Sequence, residues 1–221
     1  MIKVYYIHCG DSLGSAEKQA AMALLDESHR NKLVRYRRPI DFRCGLFGRL
    51  LLLAGLREHG FDQPTLPSFS FNAYDKPEPI DGLHFNISHS GEWVVCAMSA
   101  DHDLGIDTEY MNPDLTWSDF DDIFTKDEWQ QVGQNTANFY HLWTQKEAIL
   151  KIAGTGFSVH PKEALLNDDI ATLAGVQYRL LPLDIIPDHK THLALPMGVP
   201  VQPMAVKAWG KELITQLHSN P

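Results

Sequence analysis

The stretch from Pro39 to Glu58 constrains the fold more than any other part of the chain. Pro39 interrupts the preceding segment and Asp41 offers a capping oxygen. Phe42, Leu46, Leu50, Leu53 and Ala54 then recur on one stripe of a helix that runs to about Glu58. So broad an apolar stripe needs a second layer to cover it. Gly45, Gly48 and Gly55 weaken the helix, which predicts close packing there against another backbone. Around this element, residues 2–7 read as a first strand and 16–28 as a helix, with 63–81 as irregular connection. Strands are expected over 84–88 and 93–98, flanking a turn at His89-Ser90-Gly91-Glu92, and again over 104–110. Helices are expected over 119–132 and 138–153, the second closed by Gly154 and Gly156. Strand-like runs follow near 175–182, 190–195 and 199–208. Strands and helices do not alternate regularly and no linker separates them, so the class expected is α+β.

Composition narrows the functional classes. A chain of 221 residues with 44% hydrophobic and 21% charged content is ordinary for a globular protein, and it can build one core or two small lobes. No apolar signal region follows Met1, and the longest aliphatic run, Leu50–Leu53, is far too short to span a bilayer, so no membrane partner is expected. Cys9, Cys44 and Cys96 are widely spaced and odd in number, which suits reduced thiols and a cytoplasmic location. The formal net charge of -9 argues against nucleic-acid binding. Its distribution says more than its sum. Arg30, Lys32, Arg35, Arg37, Arg38 and Arg43 cluster against the single acid Asp41, whereas Lys126 stands alone among ten acids between Asp101 and Glu128. Such segments either bind an anion and a cation or form two solvated faces.

Three constellations carry chemistry. In Gly105-Ile106-Asp107-Thr108-Glu109, strand periodicity puts Asp107 and Glu109 on one face and Ile106 and Thr108 on the other. Neighbouring carboxylates repel unless a cation or proton lies between them, and oxygen ligands suit Mg2+. The plain alternative is an edge strand with a charged solvent face. In the run from Trp143 to Lys151, Glu147 and Lys151 are four apart on one helix face. They could form a surface ion pair, or Thr144 and Glu147 could form a capping box. Phe139, Leu142 and Trp143 extend the apolar stripe upstream, so Thr144 should be internal to the helix. In Phe85-Asn86-Ile87-Ser88-His89-Ser90-Gly91, hydroxyls, an amide and an imidazole gather at a strand end, suited to phosphate oxygens or to a structural turn. A Ser–His hydrolase is disfavoured, because adjacent residues such as Ser88 and His89 face opposite ways on an extended chain.

Together these pieces resemble the surfactin-type (Sfp-like) 4'-phosphopantetheinyl transferase superfamily. G-I-D-x-E is followed forty residues later by W-x-x-K-E-A-x-x-K, and Asn86–Gly91, Lys76-Pro77 and Lys32 match further family positions; the likeness runs from about 26 to 157. The resemblance implies a pseudodimer of two similar lobes, each a small antiparallel sheet with packed helices, divided as 1–103 and 104–221. It implies a cytoplasmic, monomeric holo-[acyl-carrier-protein] synthase type enzyme that moves 4'-phosphopantetheine from coenzyme A to a serine of an acyl or peptidyl carrier protein, releasing 3',5'-ADP. Asp107, Glu109 and Glu147 would hold Mg2+, with Glu147 and Lys151 catalytic. Lys32 and His89 would clamp the 3'-phosphate, Asn86 and Ser88 would line the nucleotide site, and Tyr74, Asp75 and Lys76 would border the adenine. The chain departs from the family pattern at Asp75, where glycine is usual, and at His29, where a second basic residue is often seen. A carrier would dock beside the acidic segment, on Phe124 and Trp129. The competing readings are a Mg-dependent nucleotide phosphohydrolase and a non-catalytic coenzyme A or carrier-binding relative.

Overall fold

A computed structural model describes residues 1–120, 122–155, 158–200 and 204–219. Gly156, expected to help close a helix, lies outside the described residues, as does part of the 199–208 run. The long helix α3, Pro39–Glu58, starts earlier than expected, with Pro39 in its first turn and Arg38 at the N-cap. Asp41 does not cap it. Its carboxylate is taken by the Arg38 guanidinium, at 2.8 and 2.6 Å. The apolar stripe is buried as expected apart from partly buried Phe42. The glycines face side chains rather than backbone: a Cβ at Gly48 would lie 3.1 Å from Ile87 Cγ2 and one at Gly45 2.9 Å from Leu33 Cδ2. The helix expected over 16–28 is two, α1 Ser15–Ala23 and α2 Glu27–Leu33. Asp26 breaks it, its side chain accepting from His29 N at 3.1 Å to start α2 afresh.

α3 covers a sheet of four strands: β1 Ile2–His8, β2 His84–Ser90, β3 Trp93–Ser99 and β9 Met204–Trp209, in the order β2-β3-β1-β9. Only β9 is parallel to its neighbour. The β2–β3 turn is Gly91-Glu92 alone, since Ser90 pairs with Trp93, so His89 and Ser90 belong to the strand. A second sheet, wholly antiparallel, runs β4-β8-β7-β6-β5, from β4 Gly105–Tyr110, β5 Leu165–Asn167, β6 Ile170–Leu173, β7 Val176–Pro182 and β8 His189–Pro196. Helix α5, Thr136–Ala153, packs on it as α3 packs on the first. The wiring repeats: β1-α3-β2-β3 forms the order β2-β3-β1, and β4-α5-β7-β8 forms the order β7-β8-β4. The fold is therefore α+β with two similar lobes.

At the chain's end β9 returns to the first sheet, and helix α6, Glu212–Ser219, buries Leu213, Ile214 and Leu217 in the core under α3. One core lies between the two sheets and includes Val4, Val95, Ile106 and Leu193. The helix expected over 119–132 is a single 3-10 turn, Trp117–Phe120, followed by α4, Lys126–Val132. Thr125 and Glu128 form a capping box that starts α4 late. Among the described residues no helix is long and apolar enough to cross a membrane.

Candidate active site

β2 and β4 are facing edges of different sheets, packed together without a backbone ladder. Side chains stitch them instead. Asn86 Oδ1 accepts from Ile106 N at 3.0 Å, Ser88 Oγ from Thr108 N at 3.3 Å, and Ser90 Oγ from Tyr110 N at 3.0 Å. Alternate residues of β2 thus occupy the hydrogen-bonding positions of a missing strand, because strand side chains repeat every second residue. The same two hydroxyls orient the acids: Ser88 donates to Asp107 Oδ1 at 2.8 Å and Ser90 to Glu109 Oε2 at 2.6 Å.

α5 lies directly on β4 because Gly105 has no side chain. A Cβ there would sit 2.6 Å from Ile152 N and closer still to the Ala148 carbonyl oxygen. This contact brings Lys151 to the seam, where its ammonium meets Asp107 Oδ1 at 2.6 Å and Ser88 Oγ at 2.8 Å. The other side of α5 is anchored. Lys146, fully buried, pairs with Glu128 at 2.9 Å and donates to the carbonyls of Pro161 and Ala164 at 3.1 and 2.6 Å. Thr144 is internal to the helix, as expected: its hydroxyl donates to Tyr140 O at 2.7 Å and accepts from His192 Nδ1 at 2.7 Å.

Electrostatics single out the acids. Burial, then repulsion by Asp107, pushes Glu109 up to about 6. Glu147 rises to about 7, first through burial and then through Asp107, with Lys151 opposing and Glu109 adding. Asp107 is only 3% exposed, and its Oδ2 is buried without a hydrogen-bond partner among the described residues. Among the described residues no three His, Cys, Asp or Glu groups already stand at metal-ligand spacing. The cation touching Asp107 is Lys151.

Beside the seam, on the first lobe, a cavity of about 480 Å³ is lined by Ser28, Lys32, Arg49, Asp75 and His89, among others. Burial, then the Lys151 charge, lowers the pKa of His89. Asp75 has φ 61, a conformation glycine adopts more easily.

The model of the 4'-phosphopantetheinyl transferase superfamily matches residues 103–189. A 4'-phosphopantetheinyl transferase of Bacillus subtilis is 34% identical over 169 residues, covering 72% of this chain and 73% of the relative. The chain belongs to this superfamily. The 4'-phosphopantetheinyl transferase Sfp of Bacillus subtilis strain 168 is 31% identical over the same coverage, and gsp of Aneurinibacillus migulanus is 33% identical over 144 residues, 61% of this chain and 58% of that protein.

The motif residues of this transferase fall into distinct groups. Asp107, Glu109 and Lys151 line the seam, Glu147 on α5 feels their charges, and Lys32, Asp75 and His89 share the cavity. Asn86 and Ser88 use their side-chain oxygens on β4. Lys76 spans the lobes, its ammonium held by both Asp103 oxygens at 2.9 and 2.8 Å and by Ile152 O at 2.9 Å. Tyr74 is exposed, with its backbone N–H on Asn72 Oδ1 at 2.8 Å. His29 has both ring nitrogens engaged, by Pro67 O at 2.8 Å and Arg49 Nε at 3.2 Å. Phe124, 1% exposed, is core rather than docking surface, and Trp129 packs against it at 5.2 Å between ring centroids. Sequence reasoning gave Ser90 and Gly105 no role of their own within their motifs, and it missed Arg49. The alternation Asn86-x-Ser88-x-Ser90 and the lone cation in an apolar helix stretch were the available signals.

Proposed function

We propose that this transferase moves the 4'-phosphopantetheine arm of coenzyme A to a serine of an acyl or peptidyl carrier protein, as a surfactin-type enzyme of the holo-[acyl-carrier-protein] synthase reaction. The observation that carries this reading is the seam of Asp107, Glu109 and Lys151, electrostatically coupled to Glu147 on α5, beside a cavity lined by Lys32 and Arg49. The donor set suits Mg2+: every candidate ligand is an oxygen, Asp107 Oδ2 has no hydrogen-bond partner among the described residues, and Asp107 raises the pKa of both Glu109 and Glu147. Asp107, Glu109 and Glu147 would hold the ion, which when bound supplies neutralisation of pyrophosphate charge.

The chain's own residues account for the rest. Lys32 and Arg49 offer positive charge, and His89 a neutral ring N–H donor, to the nucleotide phosphates. With a pKa near neutrality, Glu147 is suited to accept the proton of the attacking serine hydroxyl, directly or through a water. The serine oxygen forms a bond to phosphorus as the bond to 3',5'-ADP breaks, and Lys151 stabilises the charge on that leaving group. Residues 1–103 form the nucleotide lobe and 104–221 the catalytic lobe, with β9 and α6 returning to the first. The enzyme works as a cytoplasmic monomer, without nucleic acid or membrane.

Incubation with coenzyme A, Mg2+ and a panel of apo-carriers, read by intact mass, tests this. One added phosphopantetheine with matching 3',5'-ADP is expected. Phosphate release that needs no acceptor would establish the phosphohydrolase instead.

A further inference from the structure

Cys44 sits on α3 where the helix passes the end of β1, and its Sγ lies 2.9 Å from Cys9 Sγ. Both thiols are buried and free, at 1% and 2% exposure. The backbone around them is fixed. Cys9 N donates to Glu92 O at 2.7 Å, and Arg43 grips the carbonyls of Cys9 and Gly10 at 2.7 and 2.9 Å. A disulfide needs sulfurs about 2.05 Å apart, so closure asks each to move by roughly half an ångström. Cys44 also lines the cavity proposed for the nucleotide, which gives a small oxidant a route to it. Cys44 is the one favoured as thiolate, because the neighbouring Cys9 thiol and the Arg43 charge lower its pKa, although burial opposes. Among the described residues Cys96 has no thiol partner, and burial pushes its pKa up.

We propose that Cys9 and Cys44 are a redox-active dithiol, a modification site that takes a hydroperoxide as oxidant and closes to an intramolecular disulfide. The Cys44 thiolate attacks the peroxide O–O bond, giving the sulfenic acid and releasing water. Cys9 sulfur then displaces the hydroxyl as a second water. Two thiols lose two electrons, and one hydrogen peroxide becomes two waters. The bridge encloses α1 and α2, hence Ser28, Lys32 and Tyr36 of the cavity wall, and pins that basic segment at both ends.

The test uses the full chain, fully reduced, desalted and treated with hydrogen peroxide. Titratable thiols in denaturant should fall from three to one. Intact mass should drop by about 2 Da, and peptide mapping should join Cys9 to Cys44. The melting temperature should rise by roughly 5–15 °C, given a loop of this length, and return on adding dithiothreitol. Cys9→Ser and Cys44→Ser should each lack the mass loss and the shift. Mass gains without a bridge, linkage through Cys96, intermolecular dimers or a lowered melting temperature would each overturn the proposal. None of these readouts depends on transfer activity, so their failure leaves the proposed function untouched.

Discussion

Replacing Gly105 by alanine puts one methyl group where α5 touches β4. The new Cβ would stand 2.6 Å from Ile152 N, whereas ordinary contact begins at 3.4 Å, and it would overlap the Ala148 carbonyl. Both obstacles are backbone, so no rotamer can relieve them and α5 must shift by at least about 0.8 Å. Overpacking of this kind costs about 1–3 kcal/mol. The same shift moves Glu147 and Lys151 away from Asp107, and a misplacement near 1 Å lowers turnover by about 100-fold. Urea unfolding would measure the first effect, and kcat/KM for carrier modification the second. Gly60→Ala is the control: φ is 87 and nothing lies within 4 Å, so about 1 kcal/mol of backbone strain and unchanged kcat/KM are expected. A Gly105→Ala protein with wild-type stability and turnover within twofold would refute the close-contact reasoning.

Lys151→Ala should lower kcat more than it raises KM for coenzyme A, because the charge it faces grows in the transition state; an effect on KM alone would contradict this. Ser90→Ala removes the donor to Glu109 and the acceptor for Tyr110 N, so Mn2+ affinity measured by calorimetry should fall by about 10-fold or more, with Ser90→Thr restoring most of it. Glu147, raised from 4.5 to about 7, holds a proton in the folded state that the unfolded chain releases near 4.5. Its contribution to stability is full below about 4.5 and lost as pH rises through about 7. Without divalent ions, Glu147→Gln should therefore melt above wild type at pH 8 and no higher at pH 4. Equal melting of the two proteins at pH 8 would count against the shift.

What could be read from the sequence was periodic and local. The alternation of Asp107 and Glu109, the internal position of Thr144 and the stripe of α3 follow from repeats of two and 3.6 residues, and the structure has all three. Two features escaped because their causes are short side-chain bonds to backbone: Asp26 splitting a helix and Thr125 delaying another. Others escaped because their partners are distant in sequence. Nothing near Met204 announces that β9 will pair with β1 in parallel, and nothing near Lys76 names Asp103. The motif lysine Lys146 carries the same charge as Lys151, yet only packing shows that it is a buried anchor while Lys151 faces the acids.

In the function proposed above, carboxylates from β4 and α5 converge on one cation at the seam between the lobes. Titration of the metal-free protein with Mn2+, followed by calorimetry or electron paramagnetic resonance, measures this without any substrate. One ion per chain is expected, and Asp107→Asn and Glu147→Gln should each weaken it at least about 10-fold while the protein stays folded. Undiminished Mn2+ affinity in Glu147→Gln would mean that α5 contributes no ligand, and the two-lobed site would not exist.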